Sequence, residues 1–227
     1  MNSNNHNVLR VRRTKAQAKK SYDRISHFYD FFAGGFESKY RNLALQQLNI
    51  ETGEIVLEIG FGTGHCLMEI AKSVGKEGKV YGVDISSGML EVTKKRLEKA
   101  GLSDRVELFR GDARKMPYAD NRFDSVFMSF TLELFDTPEI QNILKEIRRI
   151  LKPNGKLGVA SMSKEGDKSL IMRLYEWAHK KISNFVDCRP IYVEESLKEA
   201  GFTIAQRKKM RSMGLTIEIV LGINADI

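Results

Sequence analysis

The residues best suited to hold a ligand lie in a glycine-rich turn and at a carboxylate that follows it. Gly60, Gly62 and Gly64 come directly after an apolar run, and Asp84 stands twenty residues beyond the last of them. Glycine lets the backbone adopt positive φ and approach a ligand closely. A carboxylate at the end of the next strand can accept hydrogen bonds from both hydroxyls of a ribose. These residues alone leave three interpretations open: a nucleoside cofactor such as NAD, another adenosyl ligand, or a tight turn with a helix cap.

Two observations weigh against a dinucleotide. The spacing of the turn is G-x-G-x-G, which differs from the G-x-G-x-x-G that places a pyrophosphate on a helix N-terminus. No tyrosine is followed four residues later by the lysine of a Tyr-x-x-x-Lys pair. Asp112, in Gly111-Asp112-Ala113 after the next strand, could accept the exocyclic amine of an adenine or simply close a turn.

From Val56 to about Met162 the chain resembles the class I methyltransferases, whose successive motifs match the glycine turn, Asp84, Asp112 and segments 122–126 and 151–157 in order. The resemblance implies S-adenosyl-L-methionine as the cofactor. It implies Glu58, Gly60, Gly62 and Gly64 around the methionine part, Asp84 and Ile85 at the ribose, and Met89, Asp112 and Ala113 around adenine. Tyr22 and Ser129 are further candidates for the cofactor site. Met89 would otherwise be an ordinary core residue.

Methyl transfer from a sulfonium is an in-line displacement that depends on alignment more than on strong acid–base groups. This accounts for the lack of a conspicuous catalytic constellation in the sequence. The fourth strand ends in Ser129-Phe130-Thr131-Leu132, not in the Asp/Asn-Pro-Pro-Tyr of enzymes that methylate amines of bases or glutamine. Ser129 also stands where metal-dependent catechol methyltransferases place a carboxylate ligand. We therefore expect a metal-independent methyltransferase.

A second resemblance concerns the acceptor. Segments 22–30 and 84–90 are similar to the ubiquinone/menaquinone C-methyltransferase family, in which aromatic N-terminal helices close over the cofactor and an isoprenoid ring. Tyr22, Phe28 and Tyr29 are then lid candidates, although an aromatic stripe can equally pack a helix onto a sheet. The implied acceptor is small or lipid-like, with a quinone or other isoprenoid ring as the leading case. The alternatives are phospholipid head-group N-methylation and a non-catalytic cofactor-binding module.

One departure puts the quinone in doubt. That family carries Phe-Gly-Leu-Arg-Asn after the fourth strand, whereas this chain has Phe130-Thr131-Leu132-Glu133-Leu134. Glu133 is either a general base or, as we favour, a solvent-facing residue at a helix start. Tyr29 is a second weak candidate for catalysis. Phe28, Tyr29, Phe130 and Arg189 are candidates for contact with the acceptor, although a surface ion pair between Arg189 and Asp187 is the favoured interpretation.

Charge is concentrated at the N-terminus. The chain has 227 residues and a formal net charge of +8, and six basic residues precede the first acidic one, Asp23. This cluster could contact an anionic membrane surface or form a solvated face. A second basic run lies at 207–211. We expect a cytoplasmic protein with the option of peripheral membrane contact and without a nucleic-acid partner; the oligomeric state stays open.

Alternating strand and helix patterns must position these residues. Residues 14–48 favour two or three helices, and five strand–helix units follow residue 53. Such alternation predicts a mostly parallel, Rossmann-like sheet of seven strands with helices on both faces. The last two strands are too close in sequence for both to be parallel, so one is expected to be antiparallel. We predict an N-terminal helical lid segment at 1–48, disordered at its start, and a cofactor-binding methyltransferase domain at 49–227.

Overall fold

The computed structural model describes residues 8, 10–11, 14–25, 34–165, 189–212 and 214–225. Within them the helices are α1 (Lys15–Ile25), α2 (Gly34–Leu48), α3 (His65–Ser73), α4 (Ser87–Ala100), α5 (Thr137–Ile150) and α6 (Val193–Glu199). The strands are β1 (Ile55–Ile59), β2 (Lys79–Asp84), β3 (Val106–Arg110), β4 (Phe123–Ser129), β5 (Leu151–Met162), β6 (Thr203–Ser212) and β7 (Leu215–Ile223). Short 3-10 helices cover Ser103–Arg105 and Leu132–Leu134. The sequence pattern also predicts a helix near residues 168–182, and those residues lie outside the described ones.

The strands form one seven-stranded sheet in the order β3-β2-β1-β4-β5-β7-β6. Strands β1 to β5 are parallel, and β7 is antiparallel to both of its neighbours, β5 and β6. This confirms the predicted α/β fold. Because β1 lies between β2 and β4, the strand order reverses beside it. In open α/β sheets, ligands bind beyond the carboxyl ends of the strands at such a reversal.

Helices cover both faces of the sheet because its inner strands are apolar on both sides. In β1, Val56 packs under α2, α3 and α4, whereas Leu57 packs against the face covered by α5 and α6. The apolar stripe of α5 is buried as its helical period predicts: Ile143, Leu144 and Ile147 are fully buried. Among the described helices, none combines the length and apolarity needed to cross a bilayer.

Local sequence fixes where several helices begin. Ser86 caps α4, since its Oγ accepts a hydrogen bond from Met89 N at 3.1 Å. Asp136 caps α5 by accepting from Thr137 N at 2.9 Å. Thr14 and Gln17 form a reciprocal capping box at the start of α1, because each side chain accepts the other's amide.

The N-terminal segment is tied to the domain at two carboxylates. Arg10 donates two hydrogen bonds to Asp136 Oδ2, at 3.0 and 2.6 Å, and Val11 N donates to Oδ1 at 3.1 Å. On α1, Asp23 accepts from Ser86 Oγ at 2.6 Å and from Gly88 N at 3.0 Å at the start of α4. A carboxylate is favourable there because helix N-termini carry partial positive charge. Arg10, Val11 and α1 therefore lie at the carboxyl edge of β2 and β4.

The sequence pattern predicts a turn at Pro153-Asn154-Gly155 and a strand at 156–160, but strand β5 is longer. Its first residue, Leu151, follows the last residue of α5 directly, so the turn residues lie inside the strand. Asn154 has a φ of 61°, and the pairing with β4 shifts register between Phe123 and Ser125. The turn residues are accommodated as a local irregularity, so they do not end the element.

The second basic run lies on the edge strand β6, and part of it is neutralised internally. Arg207 Nε donates to Glu218 Oε1 at 2.6 Å, and the same guanidinium contacts Glu165 and Glu194. Lys209 pairs with Glu165 at 2.8 Å. Three carboxylates that could otherwise hold a metal ion thus converge on an arginine. Basic side chains on an edge strand also discourage edge-to-edge association.

Candidate active site

A cavity of about 430 Å³ lies at the carboxyl edge of the sheet, where β1 and β4 end. Its volume falls in the range of small-molecule sites. The cavity wall includes the following predicted site residues: Tyr22, Glu58, Gly60, Gly62, Asp84, Ile85, Met89, Asp112, Ala113, Ser129 and Phe130. Gly64 does not reach the wall but ends the turn at the start of α3. The fold thus brings most of the predicted residues to one place.

The glycine turn needs backbone conformations that other residues rarely adopt. Gly60, Gly62 and Gly64 have φ values of 74°, 51° and 82°. A Cβ on Gly60 would stand 2.4 Å from Thr131 Oγ1, and one on Gly64 would stand 2.6 Å from Thr93 Cγ2. At Gly62 nothing lies within 4 Å of such an atom. Only Gly62 therefore leaves open space, and it does so on the cavity wall.

Asp84 ends β2 with its carboxylate held by two backbone amides. Ser86 N donates to Oδ1 at 2.9 Å, and Gly62 N donates to Oδ2 at 3.0 Å. Desolvation raises the pKa of Asp84 to about 6, while these amides act in the opposite direction. Each carboxylate oxygen retains capacity for a further donor. Asp84 is thus fixed in orientation and still able to accept hydrogen bonds from a ligand.

Glu58 presents a buried carboxylate to the same cavity. The residue is 2% exposed, and its Oε2 has no hydrogen-bond partner. Burial raises the pKa of Glu58 well above its ordinary value, which the charge of Arg41 on α2 opposes. A buried carboxylate oxygen without a donor is costly. The arrangement is therefore suited to a ligand that brings a donor, such as an ammonium group.

At the other end of the cavity, Asp112 pairs with Arg114. The guanidinium donates from Nε to Oδ1 at 2.9 Å and from a terminal nitrogen to Oδ2 at 2.7 Å, and it also contacts Glu139. Met89 and Ala113 are 2% and 5% exposed and give this end apolar walls. Met89 both lines the cavity and belongs to the core, so the two interpretations of it are compatible.

The segment after β4 forms another part of the cavity wall, and Thr131 within it lies against Gly60 of the glycine turn. Phe130 has a φ of 49°, an unusual conformation for a bulky residue. Its amide donates to Ala160 O at 2.8 Å, and its ring packs with Tyr40, Met162 and Ile217. Backbone strain of this kind costs about 1–3 kcal/mol and concentrates at functional sites. It places Ser129 and Thr131 on the cavity wall.

The favoured interpretations of Glu133 and Arg189 are wrong. Both residues are fully buried, so Glu133 does not face solvent and Arg189 is not part of a surface ion pair. Glu133 accepts from Met162 N at 3.3 Å, and Arg189 donates to Phe135 O and to Thr137 Oγ1. Burial lowers the pKa of Arg189 to about 10. Neither side chain reaches the cavity, so both support its wall from behind.

Some predicted site residues lie outside the described part of the chain, and some residues that line the cavity were not predicted from the sequence. Phe28 and Tyr29 fall outside the described residues, as does Asp187. Arg41 and Arg114 line the cavity without having been predicted, as does Val11 of the N-terminal segment. Arg114 could have been anticipated, because a short turn brings it back onto Asp112. No sequence signal marks Arg41, since only the packing of α2 brings it to the turn.

Comparison with known proteins agrees with this geometry. Residues 56–155 match a family described as a methyltransferase domain. The chain is 33% identical over 146 residues to a demethylmenaquinone methyltransferase of Lactobacillus johnsonii, an alignment that covers 63% of this chain and 59% of that protein. It is 35% identical over 147 residues to a ubiquinone/menaquinone biosynthesis C-methyltransferase of Pseudomonas savastanoi, covering 65% and 56%. The matched part is thus less than two thirds of the length of these curated relatives.

Solved structures share the fold. The crystal structure of the cyclase SpnF superposes with a TM-score of 0.75 at 20% identity, covering 93% of this chain and 96% of that one. A SAM-dependent methyltransferase from Aquifex aeolicus superposes with a TM-score of 0.62 at 24% identity, covering 82% and 89%. At this level of identity, the likeness concerns the fold alone.

The sheet order and the cavity beside β1 are those of the class I methyltransferase fold, and residues 56–155 match the methyltransferase-domain family. The cofactor of this class is S-adenosyl-L-methionine, and the match to a methyltransferase domain and to named methyltransferases confirms the first resemblance. Similarity to methyltransferases named for quinone biosynthesis confirms the family of the second resemblance, but it does not establish the acceptor.

Proposed function

We propose that this chain transfers a methyl group from S-adenosyl-L-methionine to a small or lipid-like acceptor, with a quinone or other isoprenoid ring as the leading candidate. The observation that carries the proposal is the placement of Asp84 and Glu58 on one cavity wall beside the open Gly62. The names of the similar proteins support the acceptor class.

The residues present fit the proposed cofactor. Asp84 would accept from the ribose hydroxyls beside Ile85, and Asp112 would accept the adenine amine between Met89 and Ala113. The ammonium of the methionine part would supply the donor that Glu58 Oε2 lacks. Arg41 stands near Glu58 with the opposite charge, which suits the carboxylate of the same part. When bound, the cofactor supplies the sulfonium methyl group.

Charge also favours this ligand. Five carboxylates line the cavity (Glu58, Asp84, Asp112, Asp136 and Glu139), whereas its arginines are Arg41 and Arg114. Burial raises the pKa of Glu58, but the other four carboxylates still outnumber the two arginines, and a wall with excess negative charge attracts a cation. A sulfonium loses its charge during transfer, and exclusion of water by the N-terminal segment would assist that step. The chain's own contribution is therefore alignment, charge and a dry site.

The acceptor is proposed to lie against Phe130, Leu134 and Phe135, the apolar residues of the wall that follows β4. Tyr22, which also lines the cavity, would add a further aromatic ring to this enclosure. Peripheral membrane contact remains part of the proposal through the basic N-terminus. Arg10 and Lys19 are, however, already engaged with Asp136 and Asp23.

The test combines binding with product analysis on the full chain. We expect S-adenosylhomocysteine, but not NADH, to bind in calorimetry. With methyl-labelled cofactor, label should enter demethylmenaquinone and not phosphatidylethanolamine vesicles. Label in the phospholipid would show that the acceptor is a head-group amine and not a quinone ring. Cofactor binding without transfer to either would favour a regulatory module, and no binding of S-adenosylhomocysteine would end the proposal.

Gly62→Ala should separate ligand binding from folding. The added methyl meets nothing in the protein, so the cost is that of a positive φ, about 1–2 kcal/mol. It occupies the cavity, however, and we expect the affinity for S-adenosylhomocysteine to fall about tenfold or more. Gly53→Ala is the matched control, since Gly53 also has a positive φ of 87° and open space around it. Equal affinities of the two variants would show that the cofactor does not approach Gly62.

A further inference from the structure

Helix α4 holds the glycine turn by its carbonyl groups. Thr93 Oγ1 donates to Gly62 O at 2.8 Å, and Arg96 donates from a terminal nitrogen to Thr63 O at 2.7 Å. The two side chains are three residues apart, so they project from the same face of the helix. Consecutive carbonyls of the turn are thereby directed toward α4.

Thr93 is suited to this contact in both shape and polarity. It is fully buried, so its hydroxyl needs a partner, and Gly62 O provides it. A Cβ on Gly64 would stand only 2.6 Å from the methyl carbon of Thr93, which is too close for both atoms to be present. The turn and the helix are therefore complementary: Gly64 lacks a side chain where Thr93 has one.

Fixing these carbonyls also directs the amide that meets Asp84. The carbonyl of Gly62 faces α4, and its own amide donates to Asp84 Oδ2 at 3.0 Å. A turn with three glycines has many accessible conformations, and ordering it costs free energy on binding. Contacts that hold the bound conformation in advance reduce that cost.

We propose that Thr93 and Arg96 are positioning residues that hold the glycine turn in the conformation that binds the cofactor. The inference rests on the proposed function, because it takes the turn as the cofactor site. Neither side chain lines the cavity, so both act through the backbone of Gly62 and Thr63.

The test uses variants that keep shape and remove one hydrogen bond. Thr93→Val preserves the packing against Gly64, and Thr93→Ser restores the hydroxyl. We expect S-adenosylhomocysteine to bind Thr93→Val about fivefold more weakly, with recovery in Thr93→Ser. Arg96→Met should weaken binding about tenfold, because its hydrogen bond is charge-assisted, and Arg96→Lys should recover part of the loss.

Arg105→Met is the matched control. Arg105 also donates to a backbone carbonyl, Ala71 O at 3.3 Å, but that carbonyl belongs to α3 and not to the turn. The affinity of Arg105→Met for S-adenosylhomocysteine should equal that of the wild type. Equal loss in the control, or affinities of Thr93→Val and Arg96→Met within twofold of the wild type, would overturn the inference.

Two further readouts separate positioning from general stability. Thr93→Val should move the pH midpoint of cofactor affinity upward, because a less directed Gly62 amide supports the ionised form of Asp84 less well. Amides 60–64 of the cofactor-free variant should exchange with deuterium faster than those of the wild type. Unchanged exchange would overturn the inference even if the wild type failed to bind S-adenosylhomocysteine, a failure that would by itself refute the proposed function.

Discussion

Asp84→Asn is expected to weaken the binding of S-adenosylhomocysteine by about 2–4 kcal/mol, or roughly 30- to 1000-fold in Kd at pH 7.5. The variant removes the charge that would accept both ribose hydroxyls and places an amide nitrogen where an acceptor is needed. Isothermal titration calorimetry of the two proteins measures the difference. An unchanged Kd would show that the ribose does not lie at Asp84.

The wild type should also show a pH dependence that this variant lacks. Desolvation raises the pKa of Asp84 to about 6 in the cofactor-free protein, so the carboxylate takes up a proton as the pH falls below that value. Donors from a ribose bind the ionised form, and apparent affinity should therefore fall about tenfold per pH unit below 6 and level off above it. Glu58 is present in both proteins, so the difference between their two pH profiles of affinity reports the protonation of Asp84.

Asp124→Asn serves as the control for fold and charge. Asp124 also lies on a strand and accepts from a backbone amide, Ile55 N at 2.8 Å, and it pairs with Lys152. It stands at the start of β4, away from the cavity. Its substitution should leave both the Kd and the pH profile of cofactor binding unchanged.

Arg207→Met is expected to destabilise the protein by about 3–5 kcal/mol at neutral pH. Glu218 is fully buried and accepts from Arg207 Nε at 2.6 Å and from Ser163 Oγ at 2.7 Å. Without the guanidinium, this carboxylate keeps its burial and loses its cationic partner, as Glu165 and Glu194 lose theirs in part. Urea unfolding followed by circular dichroism measures the loss.

Two further variants show whether the loss of stability comes from the buried carboxylate of Glu218 that Arg207→Met leaves without its cation. Arg207→Met combined with Glu218→Gln should recover much of the stability, because both the cation and the buried anion are then absent. Arg149→Met removes an arginine that pairs with Asp120 and Glu146 in a partly exposed network, and it should cost about 1 kcal/mol. A double variant no more stable than Arg207→Met would contradict this account.

The class of fold and much of the cavity follow from the sequence. Apolar runs alternate with helical periods, and this pattern specifies β1 to β5 and the helices between them because both faces of a parallel sheet must be buried. The glycine turn and Asp112 lie just after a strand, and Asp84 is the last residue of one. Carboxyl ends of parallel strands share one edge, so their convergence could be predicted without a structure.

Side-chain environments away from those strand ends could not be predicted in this way. Glu133 and Arg189 are charged, and a charged residue is mostly exposed. Their burial depends on elements that are distant in sequence: Glu133 meets the amide of Met162, and Arg189 meets the carbonyl of Phe135. The roles of Thr93 and Arg96 were equally hidden, since on a helix alone they belong to a regular amphipathic pattern.

The sequence by itself determined which residues stand at the ends of neighbouring strands, and hence the class of domain and the turn that its cofactor requires. Local periodicity and the parallel connection are sufficient for that, because they operate over a few residues at a time. Tertiary structure alone decided that Arg41 faces Glu58, that α4 holds the glycine turn, and that Arg207 rather than solvent neutralises Glu218. Those contacts join residues far apart in the chain, and their energies depend on exclusion from water, which only the packed protein provides.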